Sequence, residues 1–541
     1  MKTTIRVGLS TCGLAAGAET VYRTLDEQIR RRDLPIRLQR TGCLGACHRE
    51  PLVEVIAGDA STLYGPVHAE DVGALLDRSI GASTGPTDPA PVVSRRADQA
   101  DYPFLGRQIK VTTQLCGRID PHSLDDYLGN DGYAAFRLAL GMSPEDVIRA
   151  VSDARLRGRG GAGFPTGQKW TLTRQQPAAR KFVICNADEG DPGAFMDRTM
   201  IEGDPHRVLE GMLIAAYAIG ADHGYLYVRA EYPLAVKALH EAIEQARGAG
   251  LIGRNILGSG MNFDFTVKEG AGAFVCGEET ALMRSIEGQR GMPTMRPPYP
   301  SVAGLWGYPT NINNVETYAS VPSILLNGPD WFAGLGTERS GGTKAFALAG
   351  AVKNAGLVEV PIGMSLRELI YEVGGGCRDG GVFKAVQLGG PSGGCIPADL
   401  LDTRIDYEDL RATGAIMGSG GMIVMDEHAC MVDLARYFLT FTQEESCGKC
   451  LPCRVGTRKL LNILTSITQG RATPADLARI DRLCETVHKA SLCGLGQTAP
   501  NPIITTMRYF GDEYRAHVHD KHCHAGSCTF EPVRDHSRGK E

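Results

Sequence analysis

Hydrophobic and polar positions change rhythm several times along this chain. Alternation predicts strands at Thr4–Leu9, Ile36–Arg40 and Leu52–Ile56, and a helical period covers Ala18–Arg32. Residues 1–80 therefore read as a small α/β unit. Residues 81–100, GASTGPTDPAPVVSRRADQA, are rich in Gly, Pro, Ser and Thr and predict a linker, extended here to 81–104. From 105 to 340 the two periods alternate. Helices are expected at Pro144–Leu156, Val208–Ile219 and Pro233–Arg247, and strands at Phe182–Asn186, Tyr225–Arg229 and Asp264–Lys268. That order predicts a three-layer α/β domain. Residues 341–427 carry short strand runs and one helix, Ser365–Val373, as expected of a small α+β module. Residues 428–515 are helical by period, and 516–541 form a tail dense in Cys and His. No internal repeat is visible. The fold class expected is α/β multidomain.

A chain of 541 residues with 43% hydrophobic and 22% charged positions can build large cores. A net charge of −5 and only 6% aromatics argue against a nucleic-acid surface. No apolar run is long enough to span a bilayer, and no export signal opens the chain, so a cytoplasmic protein without membrane insertion is expected. Sixteen cysteines in that setting point to metal or redox chemistry rather than disulfides. The 67 glycines exceed the usual share of about 7% and fall in clusters, as where backbone approaches a ligand.

The strongest local signal is ESCGKCLPCR, with Cys447, Cys450 and Cys453. A compact C-x2-C-x2-C supplies three thiolates of an iron–sulfur cube, and a distant cysteine completes it. A structural zinc would need a second cysteine pair, which is missing. Cys484 and Cys493 compete for the fourth place; Gly494 and Gly496 favour Cys493. A second motif, RLRGRGGAGFPTGQKW, spaces Gly158, Gly160 and Gly163 as G-x-G-x-x-G. A helix rather than a strand precedes it, so it is not a dinucleotide fingerprint. Its exposed amides, with Arg159 and Lys169, make an anion cradle, and Phe164 offers a ring to stack. The bland alternative is a tight structural loop. In VICNADEGDPGAF the acids Asp188, Glu189 and Asp191 follow a strand end, suited either to sugar hydroxyls or to a solvated turn. In GAGAFVCGEET, Gly277 precedes Glu278 and Glu279, which also suit an ordinary helix start. In TNINNVET, Asn313, Asn314 and Thr317 offer polar groups or a helix cap.

These motifs, in this order, resemble the NADH-binding flavoprotein subunit of respiratory complex I, a subunit type shared with soluble NAD-linked hydrogenases and formate dehydrogenases. The resemblance covers about 105–500. It implies a Rossmann-like FMN- and NADH-binding domain at 105–340, a ubiquitin-like domain of SLBB type at 341–427 and a helical-bundle [4Fe-4S] domain at 428–515. By resemblance, Gly158, Arg159, Gly160, Lys169, Asn186, Asp188, Gly277, Asn313, Asn314 and Thr317 would hold FMN. Phe164 would stack near the nicotinamide nucleotide, with Gly161, Ala162, Glu189, Asp191, Glu278 and Glu279 close by. Cys447, Cys450, Cys453 and Cys493 match the cluster ligands. The family often has Glu at Asp191 and Tyr at Phe274, so an acid is shortened and a hydroxyl near the flavin is lost. The implied reaction passes a hydride from NADH to FMN and single electrons onward to the cluster. It needs no protein acid or base, so no catalytic residue is named.

The N-terminal unit resembles the thioredoxin-like [2Fe-2S] domain, which pairs C-x4-C with C-x3-C. Cys43 and Cys47 supply the second pair. The first is incomplete, because Val7 and Gly17 flank Cys12. Either Cys12, Cys43 and Cys47 recruit His48 or an outside ligand, or the unit is an empty docking domain. In the tail, Cys523, Cys528 and His517 would join the remote Cys430 around zinc; stray thiols on a flexible tail are the alternative. The reading expected is an NADH:acceptor electron-entry subunit of a soluble multi-subunit enzyme. Its partners would be a thioredoxin-like [2Fe-2S] subunit and a catalytic iron–sulfur subunit of hydrogenase or formate dehydrogenase type. The same subunit of membrane complex I is the alternative, and a scaffold that has lost nucleotide binding is a third. Acids beside a ribose mildly favour NAD over NADP.

Overall fold

The computed structural model describes residues 3–82 and 87–530. At the N-terminus β1 (Thr3–Gly8), β2 (Ile36–Thr41), β3 (Val53–Ala57), β4 (Ala60–Tyr64) and β5 (Val92–Ser94) form a sheet in the order β2-β1-β3-β4-β5. β1 and β2 run parallel across the helix Ala18–Arg31, and the remaining pairs are antiparallel. The helix turns Val21, Leu25 and Ile29 onto Ile5 and Val7 of β1 at the expected helical spacing.

β5 corrects the expected linker. The short apolar run within 81–104 pairs with Leu63 and Tyr64 at the sheet edge, where neighbouring prolines are tolerated. A further turn of helix, Pro103–Gly106, follows within the same segment. Positions 83–86 of that segment, and 531–541 of the tail, lie outside the described residues.

The second unit is a parallel sheet of β6 (Phe182–Ala187), β7 (His223–Arg229), β8 (Asp264–Gly270) and β9 (Thr310–Asn314), ordered β8-β7-β6-β9. Along β6, Val183, Cys185 and Ala187 pack with the helices Pro205–Ile219, Pro233–Gly248 and Val315–Asn327. The alternate residues Phe182 and Ile184 pack with Leu282, Met283 and Ile312 on the other face. The sheet is thus covered on both faces, as a parallel sheet must be. The order reverses between β6 and β9, which opens a crevice at their carboxyl ends. β9 is not expected as a strand, because TNINN is polar at every position but Ile312. Its asparagines bond to protein partners instead: Asn311 Nδ2 donates to Asn313 Oδ1 at 2.7 Å and to Tyr318 Oη at 3.1 Å.

The third unit is a mixed sheet of β10 (Thr343–Gly350), β11 (Gly356–Pro361), β12 (Phe383–Leu388), β13 (Gly394–Pro397) and β14 (Gly421–Asp426), ordered β11-β10-β14-β12-β13. Only β10 and β14 are parallel. The expected helix at 365–373 is present, and its second half, Glu368–Val373, is wound in wider π turns. The fourth unit packs the helices Met431–Glu444, Leu451–Thr468, Pro474–Ala490 and Asn501–Tyr509 around Leu439, Leu460, Leu464, Ile480 and Ile503. Among the described residues no helix is long and apolar enough to cross a membrane.

A buried ion pair joins the second and third units. Lys344 Nζ lies 2.5 Å from Glu316 Oε2, with both side chains shut from solvent, and also donates to the carbonyls of Ala345 and Ser419. Glu316 accepts the amide of Ala345 as well. The pair is fully hydrogen-bonded, the condition under which buried charges are tolerated.

Candidate cofactor sites

The glycine loop 158–164 lies between the helices Pro144–Asp153 and Thr166–Arg174, closed by the Gly158 amide donating to the Phe164 carbonyl at 2.9 Å. A helix indeed precedes it. Gly161 and Gly163 have φ of +119° and +66°, which side chains rarely adopt. A Cβ at Gly163 would stand 2.4 Å from the Tyr407 ring, and one at Gly161 3.0 Å from the Gly418 backbone. The loop is therefore pressed onto the third unit on one side. On the other side Gly160, Ala162 and Phe164 are exposed, Phe164 to 43%.

Arg159 braces the loop from beneath. Its buried guanidinium donates to the carbonyls of Arg157, Gly341 and Thr343, and its amide donates to Thr317 Oγ1 at 2.8 Å. Its charge is spent on backbone rather than offered to the open side. Lys169 Nζ donates to Glu279 Oε1 at 2.6 Å and to the Ile312 carbonyl at 2.8 Å, which places a cation at the flank of β9.

The acids after β6 are used in three different ways. Glu189 caps the helix Met196–Gly203, accepting the amides of Asp197 and Arg198 at 3.1 and 3.2 Å; burial pushes its carboxyl up. Asp191 accepts from Ser419 Oγ at 2.6 Å, and burial raises it to about 6. Asp188 has both carboxylate oxygens buried without a partner, and burial pushes it to about 7. An unpaired buried carboxylate is costly unless a ligand donates to it. Asn186 Nδ2 donates to the Gly277 carbonyl, and a Cβ at Gly277 would sit 3.5 Å from Asp188 Oδ2.

Around this crevice the other expected residues hold local structure. Glu278 caps the helix Glu279–Ile286 through the amides of Thr280 and Ala281, and Glu279 pairs with Lys169 and Arg296. Asn313 Oδ1 accepts from Trp170 Nε1 at 3.0 Å. Asn314 caps the helix Val315–Asn327 and donates to Asp197 Oδ2 at 2.6 Å. Phe274 stands edge-on to Phe441 at 5.3 Å. Asp197, Glu316 and Lys344 complete the buried charge beneath the crevice, and sequence reasoning misses them. Glu316 lies inside TNINNVET, but nothing local marks a partner 28 residues away. The orphaned Asp188, the glycine-rich cradle and the flanking cation fit a phosphate-bearing polyhydroxyl ligand such as FMN.

Cys447, Cys450, Cys453 and Cys493 line one cavity with Val275, Pro293, Ser446, Lys449, Leu492 and Leu495. Cys450 and Cys493 each stand at a helix start, and a Cβ at Gly496 would fall 3.0 Å from the Cys453 Cβ. Burial pushes the Cys453 thiol up to about 11, and the other three thiols press on it in the same direction. Cys484 lies elsewhere, buried in the helical core, its thiol pushed up by burial to about 12. The donor set fits a [4Fe-4S] cluster.

Cys430, His517, Cys523 and Cys528 converge so that their ligand atoms all lie within 4.8 Å of one another, close enough for a single ion. Cys430 Sγ is 3.5 Å from His517 Nε2 and 3.7 Å from Cys528 Sγ. His517 Nδ1 lies 2.7 Å from the Glu513 carbonyl, which leaves Nε2 facing the thiols, the usual arrangement of a metal-binding histidine.

In the N-terminal unit Cys43 Sγ lies 4.0 Å from Cys47 Sγ, and both thiols reach Cys12. Hydrogen bonds from them, with the Arg198 guanidinium, hold the Cys12 thiol far below its usual range. His48 is corrected as a fourth donor. Its Nδ1 is 2.7 Å from the Ala355 carbonyl, its Nε2 bonds Tyr102 Oη and its ring packs on Phe104, so it serves contact with the third unit.

A crevice built to cradle a flavin, sharing a wall with a cysteine-lined cavity, defines a flavin- and iron–sulfur-dependent oxidoreductase. Three family models match: the Nuo51 FMN-binding domain over 151–323, the SLBB domain over 346–396, and the NADH-ubiquinone oxidoreductase-F iron–sulfur binding region over 433–517. The NADP-reducing hydrogenase subunit HndC of Solidesulfovibrio fructosivorans is 57% identical over 78% of this chain and 86% of its own length. An F-type subunit of NADH-quinone oxidoreductase from Rhizobium meliloti is 44% identical over 75% of this chain and 96% of its own. A solved NAD+-reducing [NiFe]-hydrogenase matches with a TM-score of 0.67 and 32% identity, covering 96% of this chain and 84% of that one. The chain belongs to the family of NADH-binding FMN and [4Fe-4S] subunits of complex I type, which transfer electrons within multi-subunit oxidoreductases.

Proposed function

We propose that this chain is the NADH-entry subunit of a cytoplasmic hydrogenase- or formate dehydrogenase-type complex. Its partners would be a thioredoxin-like [2Fe-2S] subunit and a catalytic iron–sulfur subunit. The hydrogenase relative at 57% identity supports this, as does a likeness to the solved hydrogenase that, at 96% of the chain, takes in the N-terminal unit. On this reading that unit is a thioredoxin-like domain of [2Fe-2S] type, the third is ubiquitin-like, and the tail holds a structural zinc.

One observation carries the electron-transfer reading. The segment Phe274–Gly277 presents Val275 to the four-cysteine cavity and Gly277 to Asn186 and Asp188. A single turn of chain thus separates the two cofactor sites. FMN, when bound, exchanges a hydride's electron pair for single electrons. The protein's part is alignment. The cradle amides of Gly160–Ala162 and Lys169 would take the phosphate, and Asp188 and Asn186 the ribityl hydroxyls. Phe164 would stack on the nicotinamide nucleotide, with Glu189, Asp191, Glu278 and Glu279 lining its approach. Anaerobic titration of the purified chain with NADH, followed by visible and EPR spectra, tests this. Flavin bleaching with a reduced-cluster signal is the expected result. Response to dithionite alone would defeat it, and response to NADPH alone would reassign the nucleotide.

A further inference from the structure

The N-terminal thiols lack a fourth cysteine, and the fold brings a different donor to them. Glu50 is buried, with its Oε1 3.7 Å from Cys43 Sγ. Its Oε2 accepts the Leu52 amide at 2.8 Å, which fixes the carboxylate. Two glycines leave room for it. A Cβ at Gly13 would stand 3.3 Å from Oε2, and one at Gly8 3.5 Å from Oε1.

The charged neighbours and His48 are unsuitable or engaged. Arg198 Nη2, 3.9 Å from Cys12 Sγ, is a cation. Lys110 Nζ is a cation too and donates to the Leu44 carbonyl at 2.9 Å. Glu202 is bound by the amide and hydroxyl of Thr11, at 2.9 and 2.6 Å. His48 is spent on Ala355 and Tyr102. Ser10 Oγ is buried without a partner, and as a neutral hydroxyl it would not supply the fourth negative charge that a carboxylate does.

We propose that Cys12, Cys43, Cys47 and Glu50 together bind a [2Fe-2S] cluster, the Glu50 carboxylate standing in for the missing thiolate. This rests on the reading of the N-terminal unit as one of [2Fe-2S] type. Each donor gives up its proton on binding iron, so the ligand charge equals that of four thiolates, and Arg198 and Lys110 partly offset it. A carboxylate is a harder and less covalent donor than a thiolate. The site therefore has a reduction potential different from that of an all-cysteine site in the same place.

The test is iron and acid-labile sulfide analysis of the anaerobically prepared full chain, with 57Fe Mössbauer and EPR spectra. The wild type is expected to hold about six irons, four in the cube and two here. Glu50→Ala falls to about four with FMN content and far-UV circular dichroism unchanged. Glu50→Cys keeps about six with a shifted midpoint potential and an all-sulfur iron pair in its Mössbauer spectrum. The wild-type Mössbauer spectrum, which needs no variant, shows one iron of this pair with an oxygen donor. About four irons in the wild type would end the reading that this unit takes a cluster. Six irons in Glu50→Ala with unchanged spectra, or an all-sulfur iron pair in the wild type, would overturn the assignment of Glu50 while leaving the cluster in place.

Discussion

The side-chain amide of Asn186 donates a 2.8 Å hydrogen bond to the carbonyl of Gly277, tying the end of β6 to the turn that walls the four-cysteine cavity. One side chain thus couples the two cofactor sites. Asn186→Ala is expected to weaken FMN binding roughly tenfold, the loss of about one net hydrogen bond. Iron content should not change. Flavin fluorescence titration checks this, and unchanged affinity would show the contact to be idle.

Asp188 gives a pH-dependent prediction. Its carboxyl is raised to about 7 by burial, so between the ordinary carboxylate range and that value the folded protein keeps a proton the unfolded chain has lost. Stability of the flavin-free protein therefore falls as pH rises through that window. Asp188→Asn removes the penalty. At pH 8 the flavin-free variant should melt higher than wild type by roughly 2–4 °C, and the gain should vanish near pH 4. Its FMN affinity should drop. A variant both more stable and equally able to bind flavin would refute the assigned role.

The two rival cysteines separate cleanly. Cys493→Ser should lose the cube's EPR signal and about four irons per chain. Cys484→Ser should keep both, because its thiol lies in the helical core away from the cavity.

The Glu316–Lys344 pair predicts a non-additive effect. Glu316→Gln or Lys344→Met leaves a buried charge unpaired and should cost roughly 3–5 kcal/mol in urea unfolding of the flavin-free chain. Glu316→Gln with Lys344→Met should cost well under the sum of the two single costs. Additive costs would mean the pair is screened by water.

The tail site is open to metal analysis. About one zinc per chain is expected alongside iron, lost in His517→Ala together with a lower melting temperature. A zinc-free wild-type chain would remove the site.

Some of this was legible because it is local. The spacing of Cys447, Cys450 and Cys453, the glycines of 158–163 and the helix starts at Glu278 and Asn314 are written within a turn or two of chain. β5 and β9 were not legible, since a three-residue edge and a strand with a single apolar residue, Ile312, exist only through their neighbours Tyr64 and Ile184.

The sequence by itself determined which chemistry this protein carries, because ligand type and spacing are properties of contiguous chain. Only the tertiary structure decided which of those groups are free to act. Arg159 is spent on carbonyls around 342, Asp191 on Ser419 and His48 on Ala355, while Asp188 is left unpartnered. Solvation and partnership are set by residues far away in sequence, and these fix whether a charge is a brace or a binding group.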